Sequence, residues 1–248
     1  MSPIFRNFRD ASQSRVGQHG FDRYLFFGRA DEVVEGPQAY MNELDPGVEL
    51  AAHFHKVDQF QVFFGGMEGA RFLRHNIPDV MVHYTDAYST YGPFTSGREE
   101  KLLYATLRAE HSNFGGVMPG ARAELPYRGR RNLESDVGEW AVKNAPRIGQ
   151  LHREVIHCEN DGMGCTLTLA GPGVPVRVDR KTTISGRFYC VLDGDLVVGT
   201  QRYERLALGW ESGDDEPAGL VAGDTGCSLL TVDFPHPPTS LREEAPSG

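Results

Sequence analysis

The chain has 248 residues, among them 29 Gly and 15 Pro, and a formal net charge of −9 at pH 7. That length holds one large domain or two of about 100 to 150 residues, and it buries a core without covalent staples. The acidic balance, with no basic cluster beyond Arg128, Arg130 and Arg131, excludes nucleic acid as the expected partner, and no apolar run approaches the ~18 residues of a membrane span.

The opening MSPIFRNFRDASQ has no hydrophobic leader core, and the four cysteines, Cys158, Cys165, Cys190 and Cys227, form no C-x-x-C. A reduced, cytoplasmic protein is the expectation. Cys190 lies in an apolar run, where a thiol behaves as a small buried hydrophobe. Short Val, Phe, Tyr, Leu and Thr runs between Gly and Pro turns predict an all-β protein.

Residues 1–34 read as an N-terminal arm. It is loose to about residue 20, and then Phe21 to Phe27 forms an edge strand or packs on a partner subunit. Residues 35–125 read as a first β block. Ala39 to Leu44 is a strand that stops at the turn Asp45-Pro46-Gly47. His53-Phe54-His55 and the apolar run Phe60 to Phe64 make a strand, turn and strand. Ala70 to His75, Val80 to Thr85 and Lys101 to Arg108 follow as strands. The spacing of about 8 to 12 residues suggests a sandwich or barrel.

Residues 126–150 read as a linker, and Glu139 to Val142 as a short ordered piece within it. A second β block spans 151–240, and a polar tail, 241–248, is expected to be disordered. The two blocks carry an internal repeat. Phe60 to Gly66 resembles Phe188 to Gly194, and Lys101 to Thr106 resembles the run from Ser228. This alignment sets Lys181 opposite His53, Thr183 opposite His55 and Arg187 opposite Gln59, so the second block lacks metal ligands. Asp193-Gly194 reads as its hairpin turn.

The chemistry concentrates between Gly47 and Gly66. His53 and His55 are two apart, so a strand points both imidazoles to one face, about 6.6 Å apart along the chain. Gln59 has the same parity. Two imidazoles and an amide oxygen on one face are candidate metal ligands. Isolated, an H-x-H is as well explained by two half-exposed strand residues.

The wider pattern, with Gly47, His53, His55, Gln59 and Gly66, resembles the first motif of the cupin superfamily, G-x5-H-x-H-x3-E-x6-G. Gln59 stands where that family usually has Glu, and a neutral amide is the weaker ligand. The resemblance implies two cupin-type, jelly-roll β-barrels in one chain, of which the second is metal-less. It also implies one divalent metal ion in the first, with iron(II) favoured and nickel, manganese or zinc as alternatives.

The family's second motif would add a further ligand. His83 is favoured for this, following Pro78 at the right spacing, while Tyr91 or water are the alternatives. Phe63, Tyr88 and Tyr91 are the aromatics placed to line a substrate, although such residues pack as core by default. His75 reads as a surface residue, and His111, His152 and His157 are given no role. The resemblance implies an enzyme acting on a small organic substrate, with dioxygenase-like oxidoreductase chemistry foremost. A non-catalytic binding or sensing protein, or a metal-dependent isomerase, lyase or hydrolase, are the alternatives. A homodimer is expected by the same resemblance.

Overall fold

The computed structural model describes residues 3–29, 32–65, 68–112, 115–126, 130–138, 149–156, 160–178, 183–215 and 219–239. Gly66, Arg128, Glu139 to Val142, His157, Cys158, Lys181 and the 241–248 tail lie outside them. The regular structure is β throughout, apart from three single 3-10 turns among the described residues. No helix there is long and apolar enough to cross a membrane.

In chain order the strands begin with β1 (Ile4–Arg6), β2 (Ser12–Val16), β3 (Phe21–Phe27) and β4 (Gln38–Leu44). Next come β5 (Glu49–Leu50), β6 (His53–His55), β7 (Gln59–Phe64), β8 (Arg71–Phe72), β9 (His75–Asn76) and β10 (Met81–Thr85). The first half closes with β11 (Phe94–Thr95), β12 (Leu102–Arg108), β13 (Gly115–Val117) and β14 (Asn132–Asp136). The second half has β15 (Gln150–Ile156), β16 (Gly164–Ala170), β17 (Pro175–Val176) and β18 (Ile184–Val198). It ends with β19 (Gln201–Glu204), β20 (Leu208–Ser212) and β21 (Leu220–Pro235).

Two jelly-roll lobes result, built of open rather than closed sheets. In the first, a sheet ordered β14-β10-β7-β12-β4-β3-β2 faces the small sheets β5-β11-β8-β9 and β13-β6. In the second, β1-β20-β18-β21-β16-β15 form the main path, with β17 and β19 on the flanks. The lobes share one core. Phe60, Val62 and Phe64 of β7 join Phe188, Cys190, Val232 and Phe234 of the second lobe in a single buried cluster. Phe60 meets Phe234 edge-on at 5.2 Å between ring centroids. Arg131 adds a polar tie, bonding Asp86 at 2.9 Å and Asp161 at 2.8 Å.

This arrangement explains the run Gln59-Phe60-Gln61-Val62. Successive side chains alternate faces, so Phe60 and Val62 enter the core between lobes while Gln59 and Gln61 point into the first lobe. The lobe interior is therefore the polar side of the strand, and every residue of β7 is buried.

Several expectations change. Residues 1–20 are not loose: β2 pairs with β3, and β1 pairs with β20 of the other lobe. Ala70 to His75 is not one strand but a tight hairpin of β8 and β9. The stretch expected as a linker contributes β14, which pairs with β10. Asp193-Gly194 is not a hairpin turn. Both lie inside β18, and Gly194, at φ 68°, serves a bulge between Gly194 and Leu196. The turn falls at Gly199-Thr200, between β18 and β19. In the repeat, Phe60 pairs with Leu107 and Phe188 with Val232. This moves the expected β12–β21 match by two residues and preserves the parity of the faces. Cys165, Cys190 and Cys227 are buried, and burial pushes the Cys190 thiol up to about 12, as a structural cysteine requires.

Candidate functional site

The turn after Asp45-Pro46 forms because Gly47 adopts φ 74°, a value that favours glycine. It delivers the chain to β6, which is held on both sides. The His53 N–H donates to Tyr91 O at 3.1 Å, and the Tyr91 N–H donates back to His53 O at 3.0 Å. On the other edge β13 pairs with β6. Phe54 is fully buried there, and a Cβ on Gly116 would lie 2.3 Å from its ring, so β13 approaches this closely only because that residue is glycine.

His53 and His55 remain half-buried at one end of the lobe, their rings perpendicular at 5.3 Å. From His53 a chain of hydrogen bonds runs inward, and every donor in it can be assigned. Arg108 donates from Nε (2.9 Å) and Nη2 (2.7 Å) to Gln59 Oε1. That fixes the amide, so Gln59 Nε2 donates to Tyr91 Oη at 2.8 Å. The Tyr91 hydroxyl then donates to His53 Nε2 at 2.7 Å. His53 Nδ1 closes the chain on Ala51 O at 2.8 Å, which sets the Nδ1–H tautomer. Burial lowers the His53 pKa and Arg108 adds to it, against the Ala51 bond, so the imidazole is neutral at pH 7. Burial pushes the Tyr91 hydroxyl well up, with Arg108 opposing, so it stays a donor.

Arg108 is the residue that sequence reasoning missed. It is 1% exposed. Besides Gln59 it donates to Gln38 Oε1 at 2.6 Å and Ser112 O at 2.8 Å, and it lies over the Tyr40 ring. Gln38 in turn meets the buried His111 at 3.1 Å. The parity of KLLYATLR carried a signal: Arg108 shares its face with Leu102, Tyr104 and Thr106, all buried in this lobe. His111, given no role from the sequence, ends this network.

His83 is not at the solvent, and its ring packs on Tyr91 at 5.1 Å, as that of His53 does at 4.4 Å. It is fully buried, with Nδ1 3.0 Å from Gln61 Oε1 and Nε2 2.7 Å from Asn132 Oδ1. Burial, helped by the charge of His53, holds it down to about 4 against the Asn132 bond. Asn132 is oriented by its own bond to Thr90 O at 2.9 Å, so His83 donates from Nε2 and Gln61 must offer its NH2 to Nδ1.

Of the expected lining aromatics, Tyr91 stands at the centre of the site. Phe63 is sealed in an aromatic cluster, 5.2 Å from Phe94 and 5.3 Å from Tyr104. Tyr88 lies at the rim in the left-handed region, at φ 64°, and its N–H donates to His55 O at 2.6 Å. Such a conformation in a non-glycine residue is strained and clusters at functional sites.

The residues expected to bind metal do not form one ligand set. His53 is set as a metal-binding histidine usually is, with Nδ1–H on a carbonyl and the Nε2 lone pair turned inward. Gln59 presents NH2 to the site and gives its oxygen to Arg108. Both ring nitrogens of His83 are taken. Among the described residues, no three His, Cys, Asp or Glu side chains converge where an ion could be held, and a buried guanidinium beside the site repels a second cation.

The interior of the second lobe is closed on itself. Arg187 Nε meets Asp233 at 2.5 Å, and both are buried. Tyr189 Oη donates to Glu211 at 2.7 Å. Phe5, arriving on β1, packs on Tyr189 and Tyr203 at 5.3 and 5.1 Å and fills the space above Gly209, where a Cβ would lie 2.3 Å from its ring.

No protein-family model and no curated protein matches the sequence. Solved structures do match the fold. A protein of Nostoc punctiforme, proposed to be a dioxygenase, is 14% identical with a TM-score of 0.63, over 95% of this chain and 84% of its own. The bacterial pirin YhhW of Escherichia coli, in complex with nickel(II), is 11% identical with a TM-score of 0.57, over 94% and 99%. A W104Y mutant of the salicylate 1,2-dioxygenase of Pseudoaminobacter salicylatoxidans, in complex with gentisate, is 12% identical with a TM-score of 0.56, over 93% and 81%. At these identities the likeness establishes the fold alone, a cupin-type jelly roll.

Proposed function

On this cupin fold, we propose that the first lobe binds a small organic molecule at the end marked by His53, His55 and Tyr91, while the second lobe is a structural partner. The observation that carries the reading is the oriented hydrogen-bond chain from buried Arg108 to half-buried His53. A polar interior of this kind is costly unless satisfied, and its outer end meets solvent where a ligand can enter. In the second lobe the corresponding Arg187 is paired with Asp233, and Tyr189 with Glu211. Ligand-induced shifts of the His53 and His55 ring signals, followed by NMR across a panel of small organic molecules, test the reading. No shift from any of them would overturn it.

A metal-dependent enzyme, dioxygenase-like, is the second reading. The inward Nε2 lone pair of His53 beside His55 favours it, and so does a fold shared with the nickel(II) complex and with the dioxygenases named above. In this reading His53 and His55 would hold a divalent ion, iron(II) foremost, which would supply Lewis-acid or redox chemistry. Metal analysis of untagged protein, beside His53→Ala, decides it. Near-stoichiometric metal lost in the variant, together with oxygen uptake, would establish this reading. Metal below a tenth of the chain concentration, even after reconstitution, would remove it. A cytoplasmic homodimer belongs to either reading, and a monomer mass by light scattering would count against the dimer.

A further inference from the structure

The two lobes place a guanidinium at equivalent points of their central strand pairs. In the second, Arg187 on β18 stands opposite Asp233 on β21. In the first, Phe60 stands opposite Leu107, so the next step along the pair brings Gln59 and Arg108 together. The partners differ in charge. Asp233 neutralises Arg187, whereas the acceptors of Arg108 are two amide oxygens and a carbonyl. No carboxylate among the described residues forms an ion pair with it. Arg108 therefore keeps its positive charge uncompensated among the groups it bonds directly. A buried charge without a counter-ion is unfavourable by several kcal/mol in general, and an anion arriving from outside would offset that.

Resting on the binding reading above, we propose that the first lobe takes a small organic carboxylate without a metal ion, the buried charge of Arg108 doing the work of a bound cation. The carboxylate sits over Tyr91, between His53 and His55. Tyr91 can turn its O–H from His53 Nε2 to the anion, and Gln59, fixed by Arg108, continues to donate to Tyr91. Arg108 is thus a positioning residue that acts through Gln59 and through its field. The presence of Gln59 where the motif has glutamate follows from the same logic, because a carboxylate at that position would pair with Arg108 and cancel the charge.

Isothermal titration and His ring NMR in a strong chelator, with benzoate and its neutral counterpart benzamide, test the proposal. The expected result is that benzoate binds chelator-treated protein at least about tenfold more tightly than benzamide, since a full charge acts across a poorly screened interior. Gln59→Glu, nearly isosteric, should abolish that preference while circular dichroism shows an unchanged fold. Arg108→Gln should do the same where it folds. Equal binding of the two probes, with the histidine signals shifting, would overturn the carboxylate proposal and leave the binding reading standing. Benzoate binding only after a divalent metal is added would overturn it in favour of the metal reading. No shift with either probe, with or without metal, would overturn both the proposal and the binding reading.

Discussion

The cross-strand pairs Arg187–Asp233 and Arg108–Gln59 set the two lobes apart more sharply than their sheets do. Each lobe spans its interior with one guanidinium, but the strands that supply donor and acceptor are exchanged, and one acceptor is charged where the other is neutral. In the second lobe the pair is closed and Phe5 packs over Tyr189. The first keeps a charge and a directed chain of donors leading to its surface. A duplicated fold can give its two copies different electrostatics through the two residues of one cross-strand pair.

The largest effect that could break this comparison lies in the second lobe. Arg187→Met strands a buried carboxylate and should cost about 3–5 kcal/mol by urea unfolding. The double variant Arg187→Met/Asp233→Leu should recover most of that loss. A double variant no better than the single one would show that the pair has a role beyond neutralising itself. Next in size, Phe5→Ala empties the space above Gly209 and should cost about 3 kcal/mol. Gly209→Ala, which drives a methyl group into the Phe5 ring, should destabilise by about 1–3 kcal/mol. If either left the unfolding midpoint unchanged, Phe5 would not be the plug of the second lobe.

Acid sharpens the comparison in the first lobe. His83, held down to about 4 from 6.5, binds its proton more readily unfolded, so its contribution to stability is present above pH 6.5 and is lost as pH falls towards 4. Asp58 has the opposite sign. Burial pushes it up to about 6 from 3.8, against bonds from Thr239 and Ala87, so its contribution is present below pH 3.8 and is lost as pH rises through 6. Each is worth about 2–3 kcal/mol, and across pH 4 to 6 they largely cancel. Asp58→Asn should therefore uncover a loss of stability of that size between pH 6.5 and 4, seen in urea midpoints. A pH dependence unchanged from wild type would refute the assignment. The smallest effect is that of Tyr91→Phe. It should cost about 1 kcal/mol and raise the His53 pKa towards the ordinary value, because the neutral imidazole loses a donor. An NMR titration of His53 with no upward movement would break the chain at that link.

Much of this was readable in advance. The two-residue spacing put the His53 and His55 rings side by side, and the alternation in β7 and β12 gave both strands and their parity. What escaped was set by partners distant in sequence. Gln59 looked like a ligand because strand parity says where a side chain points, and says nothing of which end of an amide is already engaged. His83 satisfied a spacing, yet its role followed from Asn132, in a stretch read as linker. Arg108 was only the last residue of a strand, and the acceptors that fix it, on Gln38 and Gln59, lie far away in the sequence. Asp193-Gly194 carried turn chemistry that a bulge within a long bent strand used instead.

The pairing of β1 with β20 bears on how the molecule is made. A ribosome releases Phe5 long before Trp210, so β1 waits without its partner strand until β20 has been made. Contacts this distant along the chain are slow to form, and the delay exposes Phe5 to chaperones or to a neighbouring nascent chain. A cut between the lobes would then yield two incomplete pieces, one with an orphaned strand and the other with an empty groove.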